Sequence, residues 1–595
     1  MSKHEIAWDL SDIYPDVKDP SIDEDIKEMT KQADKIRKEY KGKIISLKPE
    51  ELATFLDKLE EIRADMADLG LFANLSYAAQ MTDKENQKLH NKVKKLRTVL
   101  GKKFTFVNIE MGELLKEKPE IINDKHLVNY KHYLEKLQRE VPHQLSETEE
   151  QLILEKDQFG VDEWQLLQSN WLNTREFEVE VEGEKKILSY GEANALLTHK
   201  DRATRESANK AIYSKLKEDG QIFATALRNI CSDWLQVCER RKFDSPMHDS
   251  LIINDVQEET VTSLLDVVEK SIPLYKRYLK LKAKMMNLPI LGCHDVVAPL
   301  PDVPEMEFDW EEARKLVTKA YVSFDEDYAH GVKDMFKKDH IDGSPRMGKR
   351  NGAFCAKWYN GKSAFILLTY TGKLREVYTL AHELGHATHD YYATKKQTLF
   401  NTSMPMVVAE TASIFGELLL TDLLLKEAKN DDEKKVILSR VLDGAGQAIF
   451  QVSSRAWFET SLYEAIQDGE FLNFEAIADQ WTTARDTVYK DVVEWFDVME
   501  SEWCMKPHYF MSNFRYYNYP YTYAQLFVYA LYRHYLEEGK TFVPKFKKIL
   551  SAGSSLSPKE IGEIVELDIT DPSFWGLGMK QFEYFVNELE KIVSE

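Results

Sequence analysis

Residues 382–386 read His-Glu-Leu-Gly-His. Two histidines at i and i+4 on a helix lie one turn apart on the same face, so both imidazoles can reach one ion. Zinc accepts ring nitrogens at about 2.0–2.1 Å, and a catalytic site keeps three protein ligands and an open position for water. Glu383 points beside such an ion, where it can take a proton from the bound water. The chemistry expected of His382, Glu383 and His386 is therefore metal-assisted hydrolysis, with one zinc per chain. A chain with 15 histidines and 100 acidic residues would contain roughly 0.06 such motifs by chance, so a third ligand decides the matter.

A second helix is expected over roughly 404–428. Most of one face is apolar, and Glu410 and Glu417 interrupt it at i and i+7 with Ile414 between them. A carboxylate on a buried stripe needs a partner, and a metal is a natural one. Glu410 is the better third ligand. Glu417, two turns on, either hydrogen-bonds a ligand histidine or makes an ordinary structural contact. His389 follows His386 by three residues, but the helix already supplies its two ligands, so an exposed or supporting place is expected for it.

The elements that must hold these groups are mostly helical. Leu374, Val377, Tyr378 and Ala381 form an apolar stripe after a Thr371-Gly372 turn, which puts the motif on a helix. Residues 20–140 carry apolar positions three and four apart, among them Leu56, Leu59, Ile62, Met66 and Leu69, and read as packed amphipathic helices. Ser146 and Glu149 make a capping box. The alternating segment 176–190 predicts a hairpin around Glu182-Gly183. The stretch 288–307 holds four prolines and reads as a loop. Between the glycines at 343, 348, 352, 361 and 372, the runs 353–359 and 363–370 read as short strands.

Length and composition bound the rest. Single cores stop growing at about 250–300 residues, so 595 residues predict at least two lobes. We place the boundary between a mainly helical lobe at 1–200 and a catalytic lobe at 201–595. A net charge of −21 repels phosphate backbones and argues against a nucleic-acid partner. No run approaches 18 apolar residues, so no membrane span is expected. Five cysteines without a C-x-x-C pair fit a reducing compartment. The charged start, MSKHEIAWDLSDIYP, lacks the apolar stretch of a signal peptide. The expected location is the cytoplasm; the composition specifies no oligomeric state.

The segments NGAFCA, FILLTYTGKLREVYTLAHELGHATH and VAETAS strongly resemble the oligoendopeptidase F family of zinc metallopeptidases, relatives of thimet oligopeptidase. WDLSDIYP, VPHQLSETEE and LKLKAKMMNLPIL extend the resemblance over nearly the whole chain. In that family the third zinc ligand lies 28 residues after the first histidine, where Glu410 stands. The resemblance implies a mainly α, two-lobed zincin-type fold with a deep substrate channel and a small β-sheet near the active site. It also implies hydrolysis of internal bonds in short unstructured peptides, through a zinc-bound water activated by Glu383. The family carries a histidine and tyrosines that face the substrate carbonyl, and the matching residues here are His508, Tyr517 and Tyr521. Pro520, and the absence of a glycine after Tyr523, depart from the family pattern and bear on subsite specificity.

Two other motifs carry little. Gly343-Ser-Pro-Arg-Met-Gly348-Lys349 resembles a phosphate-binding loop, but Arg350 replaces the hydroxyl residue and no buried strand precedes it. Gly444-Ala-Gly446 lacks a third glycine and a preceding strand. The alternatives to an endopeptidase are a zinc carboxypeptidase, which needs a cation for the terminal carboxylate, and a non-catalytic peptide-binding protein. A binding protein has no use for His382, Glu383, His386 and Glu410 together.

Overall fold

The computed structural model describes residues 6–301, 303, 306–512 and 514–594. It is mainly α-helical, with three small sheets among the described residues. The backbone forms two compact units. One comprises Met1–Val141, Glu305–Lys426 and His534–Asp568; the other comprises Pro142–Pro304, Glu427–Arg533 and Ile569–Glu595. A single boundary at residue 200 does not describe this division. The chain passes between the units several times: one crossing falls in the proline-rich stretch 288–307, but another falls inside the helix Tyr519–Glu538 and another at the end of Thr411–Glu427.

The first unit opens with the helices Pro20–Tyr40, Pro49–Ala79 and Lys84–Glu117. Each has local reasons to start where it does. Pro20 and Pro49 occupy the first turn, where a missing N–H costs nothing. The Asp83 side chain accepts from the backbone N–H groups of Glu85 and Asn86, satisfying two otherwise orphaned donors. Leu52, Phe55, Leu56, Leu59, Ile62, Leu69 and Phe72 all lie in one buried cluster. Their three- and four-residue spacing is the stripe expected of a core-facing helix. Met66, expected on that stripe, is partly buried against the cluster.

The sheet of this unit has Ser363–Leu367 at its centre, parallel to Ile341–Asp342 and antiparallel to Phe354–Trp358. Residues 364–368 are essentially inaccessible, which explains their unbroken apolar run: both faces are covered. Phe354–Trp358 is an edge strand. Lys349 ends the resemblance to a phosphate loop. Its ammonium donates to the carbonyls of Asp342, Ser344 and Leu368 and pairs with the Asp342 carboxylate at 2.7 Å, so its capacity is spent on the protein itself.

In the second unit the expected hairpin forms from Glu176–Val181 and Glu184–Ser189. Glu182 and Gly183 both take positive φ, 50° and 87°, as a two-residue turn matching the strand twist requires. The Ser146–Glu149 capping box is present. The stretch 288–307 is not wholly loop: Leu291–Gly292 pairs in parallel with Val493–Glu494, and a short 3₁₀ turn follows at Cys293–Asp295. That pairing is made with residues two hundred positions away, so local periodicity could not announce it.

Candidate active site

The helix Leu374–Lys396 carries the motif. Its start is fixed by Glu376, whose carboxylate accepts from the backbone N–H groups of Thr371, Gly372 and Lys373. Gly372 turns the chain into it at φ 103°, where a side chain would be strained. The segment expected as one helix over 404–428 is broken. It forms a short helix Met406–Ala409 and a longer one Thr411–Glu427, with Glu410 at the break (φ −85°, ψ 7°). Thr411 Oγ1 bonds the Val408 carbonyl, and Ser413 Oγ bonds both the carbonyl and the carboxylate of Glu410. These side-chain bonds compete with the helical ladder and turn Glu410 away from a regular helical position.

Two glycines let the helices meet. A Cβ on Gly385 would stand 2.4 Å from the Ala412 carbonyl oxygen and the Ser413 Cα. A Cβ on Gly416 would stand 2.0 Å from the Tyr321 hydroxyl. That hydroxyl donates to the Ala381 carbonyl at 2.7 Å, and Tyr378 and Thr421 join the helices by a buried hydroxyl pair at 3.0 Å. Neither glycine was singled out from sequence. The signal was a glycine inside each of two otherwise strong helices, which costs about 1 kcal/mol against alanine unless a neighbour needs the space.

The contact brings His382, His386 and Glu410 together. The two Nε2 atoms are 3.2 Å apart, and the Glu410 Oε2 lies 3.3 Å from one and 3.4 Å from the other. A tetrahedron with metal–ligand distances of about 2.0–2.1 Å has edges of about 3.3–3.4 Å, so these donors fit one ion. Among the described residues this is the one His/Cys/Asp/Glu group so converged. The other ring nitrogen of His382 is held too: its Nδ1 bonds Glu417 Oε1 at 2.7 Å. This leaves the His382 Nε2 facing Glu410 and His386. Burial opposes charge on His382, but Glu417, Glu410 and Glu383 outweigh it and raise its pKa to about 9. Such a surplus of negative charge favours a cation.

Glu383 is buried. Burial, reinforced by Glu410 and Glu417, raises its pKa to about 7 against the pull of His382, the range that suits a general base. It lines a cavity of about 400 Å³ with His386, His389, Asp390, Ala409, the loop 402–404 and the edge strand residues Phe354, Cys355 and Lys357. His389 is not exposed. It sits buried in this wall, with its pKa forced down to about 3, first by burial and then by His386 and Lys357. The loop wall is braced by Phe400, whose N–H bonds Glu60 and whose ring stacks on Tyr133 at 4.5 Å.

His508, Tyr517 and Tyr521 lie in the second unit and form an aromatic cluster, with ring centroids 5.1 to 6.3 Å apart. The tyrosine-rich segment divides clearly. Tyr516, Tyr519 and Tyr523 are buried, whereas Tyr517 is half-buried and Tyr521 is 39% exposed. The His508 Nδ1 is buried without a hydrogen-bond partner.

A His-Glu-x-x-His helix, a carboxylate from a second helix and an acid beside them define a metallopeptidase. Residues 195–580 match the family described as Peptidase family M3, and 116–175 match the one described as Oligopeptidase F. The chain belongs to peptidase family M3 and is a metalloendopeptidase. It is 26% identical over 599 residues to an oligoendopeptidase F homolog of Lactococcus lactis, covering 99% of this chain and 98% of that one. It is also 26% identical over 600 residues to the oligopeptidase PepF of Bacillus subtilis, covering 100% and 88%. Two crystal structures share the fold at 22% identity. A candidate peptidase from Chlamydophila abortus superposes with a TM-score of 0.87 over 99% of this chain and 98% of the other. The oligoendopeptidase F of Enterococcus faecium does so with 0.68 over 96% and 99%.

Proposed function

We propose that this chain is a zinc-dependent endopeptidase that cleaves internal bonds of short, unstructured oligopeptides. The observation carrying this is the triangle of His382, His386 and Glu410 with the buried carboxylate of Glu383 at its side. Zinc, when bound there, supplies Lewis acidity that favours deprotonation of water and polarises the scissile carbonyl. Glu383 takes the proton of the attacking water and returns it to the leaving amine. Glu417 holds His382 in its ligand orientation. Tyr517 and Tyr521, with His508, donate hydrogen bonds to the carbonyl oxygen as it gains charge; their accessibility, against the burial of the neighbouring tyrosines, supports this choice. Phe354–Trp358, an edge strand with Phe354 and Cys355 on the cavity wall, offers its backbone to an extended peptide.

Short peptides are the substrates in this reading because an edge strand needs an extended partner, and the curated relatives are named for oligopeptides. The net charge of −21 disfavours a nucleic-acid partner in this reading, and no helix of the described residues is long and apolar enough to cross a bilayer. Five free cysteines support a cytoplasmic location. The test is digestion of a mixed peptide library with and without a chelator, read by mass spectrometry. Internal cuts abolished by chelation and restored by zinc are expected. Release of C-terminal residues alone would instead favour a carboxypeptidase, and no cleavage would leave a peptide-binding protein.

A further inference from the structure

The cavity beside Glu383 contains two ionisable groups that the hydrolytic chemistry does not use. Asp390 lies one turn beyond His386 and is only 9% exposed. Its carboxylate accepts no hydrogen bond, and the one charge acting on it is Lys357. Lys357, on the edge strand, donates to the Thr402 carbonyl, and its charged neighbour is Asp390. The two are not in ion-pair contact, yet both line the same cavity. Burial raises the Asp390 pKa to about 7 and lowers that of Lys357, while each supports the charge of the other. His389 is held neutral by burial, and so is the Cys355 thiol, whose pKa is pushed well up.

A carboxylate nine-tenths buried without a donor is undersolvated, and a ligand that supplies one relieves the cost. With Asp390 ionised beside Lys357, the cavity presents an acceptor-only group and a donor-only group to one entering side chain. A cationic side chain would satisfy Asp390 and be repelled by Lys357; an anionic one would do the reverse. A primary carboxamide satisfies both, its NH₂ donating to Asp390 and its oxygen accepting from Lys357. The volume of about 400 Å³ accommodates a long side chain.

We propose that this cavity is a side-chain subsite for a residue flanking the scissile bond, and that Asp390 and Lys357 make it select the carboxamide of Gln or Asn over a charge of either sign. The inference rests on the peptidase reading above. Specificity of this kind follows from leaving a buried group unmatched with the wrong ligand.

The experiment uses quenched fluorescent peptides that differ only in Gln, Glu, Lys or Met at each position flanking the cut. It reads kcat/KM for the zinc-loaded enzyme, and Kd for the zinc-loaded Glu383→Gln protein. At one position Gln should exceed Glu and Lys by about tenfold. Lys357→Met should raise Lys relative to Glu by about tenfold, and Asp390→Asn should raise Glu relative to Lys by as much. The opposite directions matter: a variant that only loosens the fold would lower all peptides together. Ratios unchanged in both variants, or moved in the same direction, overturn the proposal. Binding preferences that shift as expected in a protein that cuts none of the peptides would uphold the subsite and refute the peptidase reading alone.

Discussion

Replacing Gly385 by alanine tests how the third ligand is brought to the two histidines. The added Cβ would stand 2.4 Å from the Ala412 oxygen and the Ser413 Cα, both backbone atoms that cannot swing aside. Relief to ordinary contact at 3.4–4 Å requires the two helices to separate by about 1.0–1.6 Å at this point. Glu410 lies three residues before Ser413 and is bonded to its hydroxyl, so the carboxylate moves with the helix. Metal sites tolerate about 0.2 Å in ligand distance, several times less than this shift. Overpacking costs about 1–3 kcal/mol, and alanine returns about 1 kcal/mol of helix propensity. The variant should therefore fold, with a helical circular dichroism spectrum and a modestly lowered Tm, yet bind zinc at least 10- to 100-fold more weakly, the loss typical when a ligand's support is disturbed. Zinc affinity is read by competition with a chromophoric chelator. Gly101→Ala is the control, since nothing lies within 4 Å of a Cβ there. A Gly385→Ala protein with wild-type zinc affinity and turnover would refute the argument that this close approach positions Glu410.

Other perturbations follow from the same geometry. Glu417→Gln leaves the fold intact but releases His382, and zinc affinity should fall about 10- to 100-fold; unchanged affinity would reduce Glu417 to a structural contact. Tyr517→Phe or Tyr521→Phe should lower kcat by about 10²–10³-fold with little change in KM, whereas Tyr516→Phe, at a buried position, should keep kcat. In the second unit Asp295 is inaccessible and bonds Arg202 and Arg205. Burial opposes its charge, but the two guanidiniums outweigh that and hold its pKa below the ordinary carboxylate value. Its contribution to stability is full above about pH 4, the unfolded value, and is lost as pH falls through the lower folded value. Asp295→Asn should cost about 3–5 kcal/mol at neutral pH, because Arg205 stays buried without its partner. It should also flatten the fall of the urea midpoint below about pH 4; a midpoint unchanged at neutral pH would contradict this.

What was legible in the sequence was local. His382, Glu383 and His386 share a turn of one helix, and the hairpin at Glu182-Gly183 and the cap at Ser146 are decided by neighbours two or three residues away. The break at Glu410 was not legible, because an apolar stripe with helical spacing runs through it and the competing bonds come from Thr411 and Ser413. Nor were the roles of Gly385 and Gly416, which answer to atoms on another helix. Lys357 and Asp390 look like an ordinary strand lysine and helix aspartate until the fold sets them on one cavity. The boundary at 200 does not match this division for a related reason: each unit is assembled from three separated segments, and the return at His534 falls inside a continuous helix.

The central claim is that Glu383 moves the proton for hydrolysis beside a metal held by His382, His386 and Glu410. The most direct measurement is zinc content and peptide turnover of Glu383→Gln, made side by side with the wild type. The amide keeps the shape of the side chain but cannot take the proton of the attacking water. One zinc per chain with turnover lowered by at least about 10²–10⁴-fold is the result expected. Wild-type turnover in that protein would contradict the account.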